Sequence, residues 1–371
     1  MRKILHVVGT RPNFMKIAPI MREMAKSPQE FEQILVHTGQ HYDENMSKVF
    51  FDELEMPHPD VNLDVGSGSH AWQTAQVMHR FEPVLLDYIP EWVIVPGDVN
   101  STLACTLVAS KLGFKIAHIE AGLRSFDRTM PEEINRLVTD QLANLLFTPS
   151  SDADENLRHE GIASERIHFV GNIMIDTLVN LLPKAEVRWP RIQDKYGFNR
   201  YVLVTLHRPS NVDDVRILSE IMGGLFEISQ AVPVVFPVHP RTRQKISEIS
   251  LPLHNRTVRL EEPMGYLEFL ALEAHADLVI TDSGGIQEET TYLGVPCLTV
   301  RPNTERPVTI VKGTNQLVKS EKAALLKAAQ HLLNNRDQKP SGNISRPELW
   351  DGKTAERIVG IFCGGMGRNK C

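Results

Sequence analysis

Two stretches of the chain join small residues to charged ones in the way an anion site requires. Gly9-Thr10-Arg11-Pro12-Asn13-Phe14-Met15-Lys16 follows an apolar run, where Gly9 permits a tight turn and Arg11 and Lys16 put two cations beside a helix N-terminus. That combination favours a phosphate. It matches neither G-x-G-x-x-G nor G-x-x-x-x-G-K-S/T, which leaves a dinucleotide fingerprint or a Walker ATP site unsupported; the plain alternative is a turn with two solvated cations. Thr281-Asp282-Ser283-Gly284-Gly285-Ile286-Gln287-Glu288-Glu289 carries a stronger anion signal. Ser283 and the amides of Gly284 and Gly285 can wrap a phosphate with no Cβ in the way, and Glu289, a turn into the helix, can accept two ribose hydroxyls. The alternative is an N-capped helix with a dipole-matched acid pair. Arg301 and Glu305-Arg306-Pro307 bring more charge after the next run. Two anion sites in two halves suggest a diphosphate.

Carboxylates supply a second kind of chemistry. Asp98 lies in Pro96-Gly97-Asp98, Glu120 in His118-Ile119-Glu120-Ala121-Gly122, and Glu132-Glu133 follow Pro131 at the start of a helix. Each has a structural alternative: a turn former, a partner for Arg124, and N-terminal helix charges. Three acids at strand and helix ends, with no nucleophile elbow, read as general acid and base groups. His207-Arg208 and His239-Pro240-Arg241 add imidazoles in the second half. His37 and His41 are separated by Thr38-Gly39-Gln40 and share no helix face, so no metal site is indicated.

Short β-branched runs alternate with amphipathic segments along the chain. The runs are 3–8, 33–37, 92–95, 115–119, 145–148 and 167–170, then 201–206, 232–238, 257–260, 278–281 and 296–300. Unalternated runs of this length suit parallel strands covered on both faces. Glu133 to Leu146 reads as a helix whose Ile134, Leu137, Val138, Leu142, Leu145 and Leu146 face a core. The fold class is α/β, with two Rossmann-like, doubly wound parallel-sheet domains facing a cleft. A polar, Pro-containing stretch from Pro183 to Asn199 separates the halves, Asn334 to Trp350 is loop-like, Thr354 to Phe362 forms a last short helix, and Gly364 to Cys371 frays. The expected division is residues 1–172 with the acid/base carboxylates, 173–349 with the nucleotide, and 350–371 as a terminal helix and tail.

The 371 residues carry 40 Lys plus Arg against 46 Asp plus Glu, a net charge of −6 that argues against nucleic acid and anionic membrane as partners. No apolar run approaches a membrane span, and Met1-Arg2-Lys3 leads straight into a strand, so a cytoplasmic location is expected. Cys105, Cys297, Cys363 and Cys371 lack C-x-x-C spacing and read as buried or incidental thiols.

At these residues the sequence resembles a known family. Gly9-Thr10-Arg11-Pro12 with Lys16, Thr38-Gly39-Gln40-His41, Gly97-Asp98, His118 to Arg124, Pro131-Glu132-Glu133 with Asn135-Arg136, Gly171-Asn172, His207-Arg208, Asp282 to Glu289 and Glu305-Arg306-Pro307 resemble, in order, the non-hydrolysing UDP-N-acetylglucosamine 2-epimerases. The resemblance implies the glycosyltransferase-B type of fold, a homodimer, UDP held mainly by the second domain, and a final helix crossing back to the first. It implies inversion at C2 of UDP-GlcNAc to UDP-ManNAc through elimination of UDP to 2-acetamidoglucal and re-addition, with no cofactor and no metal. By motif match Asp98, Glu120 and Glu132 are the acid/base carboxylates, with Lys16 and His207 also at the reacting centre. Arg11 takes the phosphate side. His239, Phe269, Ser283, Gly284, Gly285, Glu289 and Arg306 match the UDP site, with Phe269 near uracil and Glu289 on ribose.

Two departures carry expectations of their own. Some bacterial members have Gln-His-Arg-Gln and His-Arg-Arg-Glu lining a regulatory UDP-GlcNAc site, where this chain has Gln40-His41-Tyr42-Asp43 and His207-Arg208-Pro209-Ser210, so hyperbolic kinetics are expected. Asn13 stands where the family commonly has Glu. The readings that compete are epimerisation of UDP-2,3-diacetamido-2,3-dideoxyglucuronate, a hydrolysing epimerase, a glycosyltransferase of the same fold, and a UDP-sugar sensor without turnover.

Overall fold

The computed structural model describes residues 1–39, 51, 53–249, 257–335 and 346–364. The apolar runs become strands because both faces of each are covered by helices, and the chain divides into two units: Met1–Asn180 together with the C-terminal stretch from Glu348, and Leu181–Pro347. The first contains β1 (Arg2–Val8), α1 (Arg11–Met24), β2 (Phe31–His37), β3 (Val61–Asn62), α2 (His70–Tyr88), β4 (Trp92–Pro96), α3 (Asn100–Lys111), β5 (Lys115–Ile119), α4 (Pro131–Leu142), β6 (Leu145–Thr148), α5 (Ser151–His159) and β7 (Ile167–Phe169). A long helix, α6 (Ile173–Tyr196), leads into the second: β8 (Val202–Thr205), α7 (Pro209–Val212), α8 (Val215–Ser229), β9 (Val234–Pro237), α9 (Pro240–Ser247), β10 (Val258–Glu261), α10 (Tyr266–His275), β11 (Leu278–Thr281), α11 (Gly284–Leu293), β12 (Cys297–Val300), α12 (Val308–Val311), β13 (Asn315–Val318) and α13 (Lys322–Asn334). The chain returns to the first unit in α14 (Thr354–Gly364).

Both sheets are parallel, in the orders β3-β2-β1-β4-β5-β6-β7 and β10-β9-β8-β11-β12-β13. Each order reverses once, between β1 and β4 in the first and between β8 and β11 in the second. In open sheets ligands bind beyond the carboxyl ends of the strands at such a reversal. The strand ends are held firmly there. Leu5, Val7, Val93 and Val95 are buried with Val77, Phe81 and Leu85 of α2 in one core, and Val202, Val204 and Ile280 with Leu218, Ile221 and Leu225 of α8 in the other.

The structure corrects several expectations from sequence. Two strands escaped the apolar-run criterion: β3 is two residues long, and β13 begins with Asn315-Gln316. Pro183 and Pro190 lie inside α6, where Leu178, Leu181, Ala185, Ile192 and Tyr196 form a buried stripe that outweighs the backbone bonds the prolines remove. The helix read as Glu133 to Leu146 ends at Leu142, and Leu145 and Leu146 belong to β6. Its orientation is also reversed. Glu133, Asn135, Arg136, Thr139 and Asp140 are buried while Ile134 is 48% exposed, because the charged face is turned toward the strand ends.

α14 packs on α1 and is capped by Asp176, which accepts from the backbone N–H groups of Thr354 (3.1 Å) and Ala355 (2.7 Å). Trp350 Nε1–H donates to Pro149 O at 2.9 Å, and Phe362 packs edge-on against Trp92 and Phe147. Cys105 and Cys297 are buried free thiols. Cys363 is disulfide-bonded, which corrects its reading as a buried or incidental thiol: bonding depends on distance between Cα atoms, not on C-x-x-C spacing. Among the described residues no helix is long and apolar enough to cross a membrane. Gln40-His41-Tyr42-Asp43, most of the loop-like stretch from Asn334 to Trp350, and the tail after Gly364 lie outside the described residues.

Candidate active site

In the first unit, the groups at the β1/β4 reversal come from the ends of β1, β4 and β5 and the starts of α1 and α4. Asn13, in the first turn of α1, accepts from Gly9 N, Thr10 N and Thr10 Oγ1, and its amide donates to Pro96 O at 3.1 Å, tying the β1 loop to the end of β4. Gly9 serves close approach: a Cβ there would stand 2.5 Å from Ser101 Oγ. Arg11, half-buried, opens α1. One turn on, Lys16 Nζ donates to Glu120 Oε2, and both side chains are buried. This ion pair lies over Gly97, whose φ is 66° and whose Cβ, if present, would be 2.8 Å from Lys16 Nζ.

Glu120 itself has a φ of 71°. A non-glycine residue there costs about 1–3 kcal/mol and persists only where its surroundings dictate it. Here the N–H groups of Glu120 and Ala121 both donate to Phe147 O, at 3.1 and 3.0 Å. Asp98 accepts from Arg136 Nη1 and keeps a quarter of its side chain exposed. Glu132 is half-buried and, among the described residues, makes no side-chain hydrogen bond or ion pair. Its neighbour Glu133 faces inward, accepting from Ser125 N, Phe126 N and Arg136. Burial pushes the Glu133 carboxyl up, but these donors outweigh it and hold it below the ordinary range.

Beneath these groups is a layer that sequence reasoning missed. His118, fully buried, reaches Asp140 with Nδ1 (2.6 Å) and Gly97 O with Nε2 (2.8 Å), so it braces the turn under Lys16 and Glu120. Arg124 pairs with Asp140 at 2.7 Å and with both oxygens of Glu160 at 2.7 Å; the alternative Glu120–Arg124 pairing does not occur. Burial raises the Asp140 carboxyl, yet His118 and Arg124 bring it below its usual value. The available signal was Arg136 and Asp140, charges four apart on a helix otherwise read as apolar inward.

In the second unit, Asp282 ends β11 with no exposed surface and gathers the β8 loop: it accepts from His207 N, Arg208 N and Asn211 Nδ2, and stands 3.0 Å from His207 Nδ1. Burial raises the Asp282 carboxyl, but these bonds prevail and hold it below the ordinary range. The His207 imidazole is 58% exposed. Ser283, the residue before α11, and Gly284 and Gly285, its first two residues, are half-buried. A Cβ on Gly284 would be 2.5 Å from Arg306 Nη1.

Arg306 donates to Glu288 (2.7 Å) and Glu305 (2.6 Å), and Arg301 and Arg208 also reach Glu305, at 2.8 and 3.7 Å. Three guanidiniums thus meet three acids, Asp282, Glu288 and Glu305. Burial raises Glu305, but the three cations hold it far below the carboxylate range. Burial and the neighbouring Arg301 lower Arg208. Glu289, 2% exposed, accepts from Tyr266 Oη at 2.9 Å. Phe269 is half-buried one turn beyond Tyr266 on α10, and His239 is exposed after β9. Among the described residues no group of three His, Cys, Asp or Glu is arranged to hold a metal ion.

Two parallel, helix-flanked sheets with a charged site at the reversal of each define an α/β enzyme of the glycosyltransferase-B type. A family model described as UDP-N-acetylglucosamine 2-epimerase matches residues 22–362. The UDP-N-acetylglucosamine 2-epimerase of Methanocaldococcus jannaschii is 44% identical over 98% of this chain and 99% of its own length. Its crystal structure with UDP-GlcNAc and UDP superposes with a TM-score of 0.87, covering 97% of this chain and 99% of that one. The UDP-2,3-diacetamido-2,3-dideoxy-D-glucuronate 2-epimerase of Pseudomonas aeruginosa is 42% identical over 88% of this chain and 91% of its own length. The chain belongs to the UDP-N-acetylglucosamine 2-epimerase family, and by class it is an isomerase.

Proposed function

We propose that the protein interconverts UDP-GlcNAc and UDP-ManNAc by inverting C2. The observation that carries this reading is the buried Lys16–Glu120 pair over Gly97, with Asp98 and Glu132 on the neighbouring loop and helix start. The C2 proton is not next to a carbonyl carbon, so direct removal would leave an unstable carbanion. A carboxylate instead takes that proton as the C1–O bond breaks and UDP departs, leaving 2-acetamidoglucal. A carboxylic acid then returns a proton to the opposite face of C2 while UDP re-adds to C1. Asp98, Glu120 and Glu132 are assigned these proton transfers. Lys16 pairs with Glu120, and His207, oriented by Asp282, acts at the reacting centre.

Arg11 takes part of the diphosphate charge, and Ser283 with the Gly284 and Gly285 amides takes the rest, beside Arg306. Glu289 accepts ribose hydroxyls, Phe269 lies at uracil, and His239 contacts the nucleotide. A homodimer acting without cofactor belongs to the same proposal. Of the two cations a uronate could call on, Arg124 is 2% exposed and committed to Asp140 and Glu160, which leaves the exposed Arg128. The test is NMR of UDP-GlcNAc, and separately of the diacetamido uronate, incubated with enzyme in D₂O. UDP-ManNAc with deuterium at C2 and little free UDP is expected. Free ManNAc, transfer to an acceptor, absence of exchange, or exchange on the uronate alone each overturns the reading.

A further inference from the structure

Glu273 sits on α10 with no exposed surface, and among the described residues no donor group reaches either of its carboxyl oxygens. Facing it from the adjoining helix is another acid, Glu289 of α11, itself 2% exposed. Tyr201, just before β8, and Cys297 of β12 also interact with Glu273, and neither is a cation. Two carboxyl groups bond to each other only when one carries a proton, and the surroundings decide which. Glu289 also receives the Tyr266 hydroxyl at 2.9 Å, which favours negative charge there. Glu273 has no such support; burial first, then the charge of Glu289, pushes its carboxyl well above the ordinary range. A proton shared by the two acids is therefore favoured on Glu273.

We propose that Glu273 is a positioning residue for the nucleotide's ribose, donating through a carboxyl-to-carboxylate hydrogen bond that, with Tyr266, fixes Glu289 in one orientation. The proposal rests on Glu289 being the ribose acceptor. A buried carboxylate free to rotate would present its oxygens to two hydroxyls only part of the time, whereas one gripped by two donors is set before the nucleotide arrives. The chemical class read by this arrangement is a ribonucleoside diphosphate, distinguished from its 2′-deoxy form. No bond is made or broken, and the shared proton stays between the two carboxyls.

The test is calorimetric titration of UDP and 2′-deoxy-UDP into wild type, E273Q and E273M. Wild type is expected to prefer UDP by about tenfold or more, the size of one hydrogen bond to a charged group. E273Q, which keeps a donor, is expected to retain that preference. E273M, similar in size without a donor, should lose about tenfold in UDP affinity while its 2′-deoxy-UDP affinity and its saturated turnover stay within about twofold. E273M discriminating like wild type overturns the role of Glu273 alone; wild type binding both nucleotides equally overturns the ribose assignment of Glu289 and the proposal with it. A reading independent of how E273M folds is infrared absorption near neutral pH. A carboxylic-acid carbonyl band in wild type that is missing from E273Q is expected, and identical spectra in that region overturn the proposal.

Discussion

At the reversal of each sheet the two units present groups of different kind. At β1/β4 a few charges face one another, Lys16 with Glu120 and Arg136 with both Asp98 and Glu133, set on a strained backbone at Glu120 and braced from below by His118 and Asp140. At β8/β11 the cations come as a cluster, Arg208, Arg301 and Arg306 sharing Glu305, beside a turn of small residues. Carboxylates each set against a lysine or a guanidinium, one of them partly open, suit moving a proton. A cluster around glycines suits holding a multiply charged group, because the field is spread and the backbone amides stay accessible. One architecture thus presents two kinds of charged site according to the side chains at its strand ends.

Five changes would break or sharpen that contrast. Lys16→Met removes the partner of a buried Glu120 and is expected to cut turnover by at least about 100-fold; UDP affinity measured by calorimetry should remain within a few-fold. Asp176, which caps the terminal helix of the first unit, has its carboxyl raised by burial to about 6, against two backbone N–H bonds that lower it. A raised acid stabilises fully below its unfolded value and loses that contribution as pH rises through the folded one. Urea denaturation should therefore show wild type losing about 1–3 kcal/mol relative to Asp176→Asn as pH rises from about 4 to 7. Asp98→Asn and Glu132→Gln should each lower turnover at least about tenfold, about 1.4 kcal/mol, with UDP affinity nearly unchanged. Smallest, Gly284→Ala puts a methyl 2.5 Å from Arg306 Nη1 and should raise KM for the UDP-sugar about fivefold with turnover within about twofold.

Much of this was legible in the sequence where local chemistry and position coincide. Apolar runs marked most strands, and residues just beyond them, such as Asp98, Glu120, His207 and Ser283, lie at the carboxyl ends of strands. What stayed hidden depended on partners distant in the chain. Glu120 is joined to Lys16 across 104 positions, and the inward turn of α4 depends on Asp98, His118 and Arg124, so its Ile134 stripe misled. The prolines of α6 were outweighed by a buried stripe spread over several turns. Glu273 carried no motif at all, since its meaning lies in a contact with Glu289 sixteen residues on.

The division of labour between the two units is tested most directly by Glu120→Gln, comparing the rate of deuterium entry at C2 of UDP-GlcNAc in D₂O with the dissociation constant for UDP. Exchange lower by at least about tenfold, with UDP affinity within about threefold of wild type, is the predicted result. Parallel loss of both, or exchange at the wild-type rate, would contradict it.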